Sequence, residues 1–218
     1  MPKFRLVVFD LDGTLVDSLG DLAGSANALV VECGGRALPD DSIGRMVGEG
    51  AALLVARVFQ AAGLAQPPDA LERFLAIYNA RLLTLTRPYP GIGQLLGEIA
   101  HAATLAVLTN KPIDATRAIL DGLDLSRHFS FDRVLGGDGP LPRKPDPSGL
   151  RHLADGAGVP LTETLLVGDS LIDWRTSRAA PAAICLARYG FGFQSFPVEQ
   201  IGADDLLIDA PLDLVSVL

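Results

Sequence analysis

Apolar positions along the chain follow two rhythms, and the change between them divides it. Leu6-Val7-Val8-Phe9 is an unbroken apolar run, the pattern of a strand buried on both faces of a parallel sheet. From residue 17 to about residue 87 the spacing turns helical and no convincing strand is found. Helices are predicted over 19–31, closing at Gly34-Gly35, over 41–46, and over 51–62, closing at Gly63. A fourth begins after Pro67-Pro68 and carries Leu71, Phe74, Leu75, Tyr78 and Leu82 on one stripe. A crossover between parallel strands needs only one helix. A run of several helices therefore reads as an inserted cap, or lid, over a strand end.

From residue 88 onward helices and short apolar runs alternate. Helices are expected at 92–100, 115–122, 148–157 and from about 172, and strands at 104–108, 131–135, 164–167, 182–186 and 206–208. Such alternation means an α/β layered sheet. The expected fold is α/β: a three-layer, Rossmann-like parallel-sheet core of residues 1–16 and 88–218, with an α-helical cap at 17–87.

Polar residues then fall where such a sheet binds its ligands. Asp10, Thr109 and Asp169 each follow directly on an expected strand, and Lys144 follows a loop. In open parallel sheets ligands sit at the carboxyl ends of the strands, so these four segments can converge on one crevice. Two carboxylates, Asp10 and Asp12, at the mouth of a buried strand are costly unless a cation or a reaction uses them. Gly13 next to them permits a positive φ or tight turn. A helix-loop-helix calcium loop is a poor match, because Gly13 follows the second acid directly and no Glu appears before Glu32.

Composition narrows the partners. At 218 residues, with 49% hydrophobic and 20% charged residues, the chain can bury a sizeable core. A net charge of −8 argues against non-specific binding to nucleic acid or an anionic membrane. Cys33 and Cys185 are expected as small buried side chains in a reducing compartment. Two Cys and three scattered His are too few for a zinc site. With no signal-peptide pattern and no apolar stretch of membrane-span length, a cytoplasmic location is expected.

Asp10-Leu11-Asp12-Gly13-Thr14, Thr109-Asn110, Lys144-Pro145 and Gly168-Asp169-Ser170-Leu171-Ile172-Asp173 together resemble the haloacid dehalogenase superfamily. Within it, Val47-Gly48-Glu49-Gly50, Tyr89-Pro90-Gly91, Thr109-Asn110-Lys111-Pro112 and Arg143-Lys144-Pro145-Asp146-Pro147 resemble bacterial phosphoglycolate phosphatases. One departure is Pro181, at a helix end where relatives usually carry Gly.

The resemblance implies a Mg²⁺-dependent phosphomonoesterase that forms an aspartyl-phosphate. Asp10 would be the nucleophile and Asp12 the general acid and base. Lys144, Thr109 and Asn110 would hold the transferring oxygens. Mg²⁺ would be held by Asp10, Asp169 and Asp173, and by Asp12 through its backbone carbonyl. The substrate would be a small phosphate ester such as 2-phosphoglycolate. Its carboxylate would meet Gly48, Glu49 and Gly50 before the helix at 51, with Arg45 as helper. A β-phosphoglucomutase-like mutase shares these motifs and is the alternative. A signalling receiver module is a weaker match, lacking a cap and an acceptor Asp in Asp-x-Asp-Gly-Thr. Asp17 and Asp21 are expected at solvated or capping positions, and Trp174, His101, His128 and His152 at packing or surface positions. The sequence leaves the oligomeric state open.

Overall fold

The computed structural model describes residues 3–218. In chain order, β1 (Leu6–Phe9) and a two-residue strand, β2 (Val16–Asp17), lead to helices α1 (Leu19–Glu32), α2 (Asp40–Gly44), α3 (Ala51–Ala61) and α4 (Ala70–Asn79). The chain returns through β3 (Arg87–Pro88) to α5 (Ile92–Ile99), β4 (Thr104–Leu108), α6 (Ile113–Gly122) and β5 (Val134–Leu135). It continues through α7 (Ser148–Ala157), β6 (Thr164–Gly168), α8 (Leu171–Ala179), β7 (Ala183–Ala187) and β8 (Leu206–Ile208).

Six strands form one parallel sheet in the order β5-β4-β1-β6-β7-β8. The unbroken apolar run of β1 is explained by its central place between β4 and β6. Val7 and Phe9 face one layer with Leu105, Val107, Leu165 and Val167. Leu6 and Val8 face the other with Ala106, Leu108, Leu166 and Ile184. The period of two across a sheet thus feeds two separate helix-covered cores. The chain runs from β1 outward to β4 and β5, then crosses back to β6 beside β1. That reversal puts the switch-point crevice at the carboxyl ends of β1, β4 and β6.

α1 to α4 share a third apolar cluster of their own, with Leu29, Ile43, Leu54, Phe59 and Phe74 fully buried. The stripe expected on α4 is narrower than predicted: Ala70, Phe74 and Tyr78 are buried, while Leu82 lies beyond the helix end. Two short strands flank the helical unit where none was expected. β2 and β3 pair antiparallel, Val16 with Pro88 and Asp17 with Arg87, and bring its entry and exit side by side.

The same junction corrects the expectation for Asp21. It is fully buried rather than solvated. Its Oδ2 accepts from Leu85 N–H (2.9 Å), Thr86 N–H (2.8 Å) and Thr86 Oγ1 (2.8 Å), tying the start of α1 to the segment between α4 and β3. Asp17 is exposed and accepts from Leu19 N–H, as a capping residue does.

Two smaller differences have local causes. The strand expected over 131–135 begins only at Val134, because Phe131 to Arg133 form a 3₁₀ turn. Phe131 stays exposed beneath the Arg117 guanidinium, 3.6 Å from its ring centre, and does not enter the sheet. After α8, Pro181 has φ +28, a left-handed value suited to glycine. Cys33 and Cys185 are both free, the first half-buried and the second buried.

Candidate active site

The first strand ends on Asp10, and the chain turns away at Gly13, with φ +85. A side chain there would collide with Asp169 at the end of β6: a β-carbon on Gly13 would lie 2.6 Å from Asp169 Cγ. Two more glycines close on the same carboxylate. A β-carbon on Gly190 would come 2.5 Å from Asp169 Oδ2, and one on Gly192 2.8 Å from it. Gly192 N–H donates to that oxygen at 2.7 Å. Asp169 therefore sits in a cradle of three glycines, none of which could carry a side chain without displacing it. Tyr189 Oη donates to Thr14 O (3.0 Å), and its ring packs edge-on against Tyr89, so the glycine-bearing loop is pinned to the first.

Carboxylate oxygens of Asp10, Asp169 and Asp173 lie within 4.8 Å of one another, and all three residues are buried. Lys144 Nζ stands between two of them, 2.9 Å from Asp10 Oδ1 and 2.6 Å from Asp173 Oδ1. Asp173 Oδ2 is taken by Ser170, through its N–H (3.1 Å) and Oγ (2.6 Å), in the capping box that starts α8. Both Asp173 oxygens are thus engaged, and its visible work is to hold Lys144. Asp10 Oδ1 also accepts from Leu11 N–H at 2.7 Å, while no hydrogen bond among the described residues engages Oδ2.

Burial, reinforced by neighbouring acids, sets the electrostatics. It pushes Asp10 up to about 6 against the pull of Lys144, and Asp169 well above the usual carboxylate range. Burial acts to lower Lys144, but Asp10 and Asp173 outweigh it and hold the ammonium above the usual lysine range. A second ion pair stands beside the first. Lys111 Nζ contacts both oxygens of Asp12, at 2.9 and 2.8 Å, and Ser18 Oγ donates to Asp12 Oδ1 at 2.5 Å. Burial and Asp12 likewise oppose each other at Lys111, and the acid wins. Four carboxylates (Asp10, Asp12, Asp169, Asp173) meet two ammonium groups here. The two uncompensated charges suit one divalent cation bound by oxygen.

Thr109, buried at the end of β4, lines the same cavity. Asn110 works as a strut: its amide donates to Gly48 O and Lys144 O, both at 2.9 Å, and its Oδ1 accepts from Lys144 N–H at 2.8 Å. It joins the loop before α3 to the segment that carries Lys144. The cavity, with about 700 Å³ of free space including its open mouth, extends from Asp10, Asp12, Thr109 and Asp169 upward to Gly48 and Gly50. Those two glycines have φ +118 and +93, and Gly50 opens α3.

Two expected residues turn elsewhere. Arg45 is exposed and donates to Ser42 Oγ, and Glu49 pairs with Arg57. Neither lines the cavity. Trp174 donates to Asp205 Oδ2, away from the cavity, and no histidine lines it. Sequence reasoning missed Lys111, Gly190 and Gly192. The Ser170-x-x-Asp173 spacing was a readable capping-box signal.

The family profile for haloacid dehalogenase-like hydrolases matches residues 7–187. A phosphoglycolate phosphatase of Rhodospirillum rubrum is 43% identical over 212 residues, covering 93% of this chain and 86% of that protein. One of Caulobacter vibrioides is 36% identical over 213 residues, covering 95% and 88%. A crystal structure from Haemophilus somnus, described as a predicted phosphoglycolate phosphatase, superposes with a TM-score of 0.91 at 28% identity, covering 100% of this chain and 99% of that one.

Proposed function

The chain belongs to the haloacid dehalogenase-like hydrolases, and from that premise we propose that it is a Mg²⁺-dependent phosphatase that hydrolyses 2-phosphoglycolate through an aspartyl-phosphate. The observation that carries this reading is the excess of carboxylate at the ends of β1 and β6, four acids, three of them buried, against Lys111 and Lys144. The donor set is all oxygen, which suits Mg²⁺. Asp10, Asp169 and the Asp12 carbonyl would hold the ion, with Asp173 acting through Lys144. When bound, Mg²⁺ supplies charge neutralisation to the phosphoryl oxygens.

The chain's own residues do the rest. Asp10 Oδ2, free of the bonds that occupy Oδ1, attacks phosphorus and the ester bond breaks. Asp12 gives the leaving alkoxide its proton and then takes one from the water that cleaves the acyl phosphate. Lys144 and Thr109 hold the phosphoryl oxygens in a site already ordered before substrate arrives. The loop at Gly48 and Gly50, before α3, closes the cavity on the side away from Asp10. The two relatives at 43% and 36% identity, both named phosphoglycolate phosphatase, support the choice of substrate. A cytoplasmic location fits the two free cysteines, and no helix is long and apolar enough to cross a membrane among the described residues.

Phosphate release from 2-phosphoglycolate, ethyl phosphate and glucose 6-phosphate, each with Mg²⁺ or with chelator, tests the proposal. The expected result is a clear preference in kcat/KM for 2-phosphoglycolate, lost in chelator and restored by Mg²⁺. Full activity in chelator would remove the metal from the account. Equal turnover of ethyl phosphate would remove the substrate assignment. Little net phosphate release without an added sugar bisphosphate would favour the mutase alternative.

A further inference from the structure

The cap half of the cavity is walled by Leu22, Leu54, Phe74 and Leu75, and one polar group is buried among them. Tyr78 of α4 is 3% exposed, and its Oη makes no hydrogen bond of ordinary geometry among the described residues, the Lys111 ammonium being the charged group beside it. The ring is held by stacking on Phe74, with centroids 5.8 Å apart, so packing alone would accept a phenylalanine. A buried hydroxyl without a partner is costly unless something that enters the cavity uses it. Burial pushes the phenol up to about 12, which keeps it a neutral O–H donor.

Lys111 faces it from the core. Its Nζ lies 4.6 Å from the centre of the Tyr78 ring while it touches both oxygens of Asp12. An ammonium has three donors, and two are spent on Asp12. Asp12 is read as the residue that protonates the ester oxygen. In a phosphorylated α-hydroxy acid the carboxyl carbon is only two bonds from that oxygen, so its carboxylate comes within reach of the ammonium beside Asp12.

We propose that Tyr78 Oη and the Lys111 ammonium together bind this carboxylate and so select phosphate esters of short α-hydroxy acids. The proposal rests on the assignment of Asp12 and of 2-phosphoglycolate made above, and it names the groups that read the substrate. Tyr78 belongs to the cap and Lys111 to the core, so the carboxylate bridges the two. The apolar walls reject a sugar, whose hydroxyls would be stripped of water there without partners.

The test is the ratio of kcat/KM for 2-phosphoglycolate to that for ethyl phosphate, in wild type, Tyr78→Phe and Lys111→Met. Tyr78→Phe keeps the stacked ring. The ratio is expected to fall about tenfold to a hundredfold, the effect of one hydrogen bond to a charged group, mainly through KM for 2-phosphoglycolate. Lys111→Met also disturbs Asp12, so both substrates suffer, and the acid is expected to suffer more. An unchanged ratio in both variants, with the wild-type preference intact, overturns the subsite and leaves the phosphatase reading standing. A wild-type enzyme with no preference overturns the subsite and the 2-phosphoglycolate assignment together and leaves a general phosphatase.

Discussion

Gly13→Ala probes how tightly the acid cluster is built. Gly13 has φ +85, and a β-carbon there would lie 2.6 Å from Asp169 Cγ and 2.9 Å from its Oδ1. Carbon–carbon contacts settle near ~3.5–4.0 Å, so the carboxylate must retreat by about 1 Å. It cannot do so freely, since Gly192 N–H holds Oδ2 and Gly190 stands equally close. Misplacement of that size at a reacting centre costs roughly 10²-fold. Left-handed strain adds about 1–3 kcal/mol of instability, lowering Tm by roughly 2–4 °C per kcal/mol in a chain of this length. Gly192→Ala is the internal control. Its β-carbon would sit 2.8 Å from Oδ2 and 3.1 Å from Cγ, with no positive φ, so a shift of a few tenths of an ångström relieves it. Initial rates against Mg²⁺ concentration, together with thermal melts, make the assay. Gly13→Ala should lose about 10²-fold or more in kcat and need more Mg²⁺ for half-activation, and Gly192→Ala should show a smaller change of the same kind. Normal kcat and normal Mg²⁺ dependence in Gly13→Ala would show that Asp169 is not held where the reaction needs it.

Three further expectations are independent of that one. Asp12→Asn should lose roughly 10²–10⁴-fold, more on alkyl than on aryl phosphates, because only poor leaving groups need the proton; equal losses would contradict the acid role. Asp10, pushed up to about 6, and Asp169, raised well above the usual carboxylate range by burial, bind protons more tightly folded than unfolded, where the reference is 3.8. Without metal, their contribution is present below about pH 4 and is lost as pH rises through about 6. Mg²⁺ displaces those protons, so its rise in Tm should be larger at pH 8 than at pH 5, and an equal rise at both would remove this linkage. Pro181→Gly should raise Tm by several degrees: it relieves a proline at φ +28, restores an N–H after α8 and, at an exposed site, costs no packing. An unchanged or lower Tm would show that no strain is stored there.

Local pattern carried most of the fold. The apolar run of β1 and the strand–helix alternation after residue 88 name their own elements, because burial on two faces leaves no polar position to blur the signal. Asp10, Asp12, Thr109, Lys144 and Asp169 could be nominated because each closes an expected strand or stands in a loop beside one. What stayed hidden depends on distant partners. Asp21 looks like a surface acid until Leu85 and Thr86 arrive from the far end of the cap. Lys111 looks like a solvated lysine until Asp12 meets it across the crevice. Gly190 and Gly192 read as loop glycines, and only the fold brings them against Asp169. Arg45 and Glu49 carried charges suited to a site, but their side chains are engaged by Ser42 and Arg57 and do not line the cavity.

The proposed reaction stands or falls on phosphorylation of Asp10. Rapid quenching of the enzyme during turnover of 2-phosphoglycolate, followed by borohydride reduction and mass spectrometry, reads this directly, since an aspartyl-phosphate is reduced to homoserine. Homoserine is expected at position 10 alone, dependent on substrate and Mg²⁺, with none in Asp10→Asn. Turnover at full rate with no modified residue, or with the mark on another acid, would contradict it.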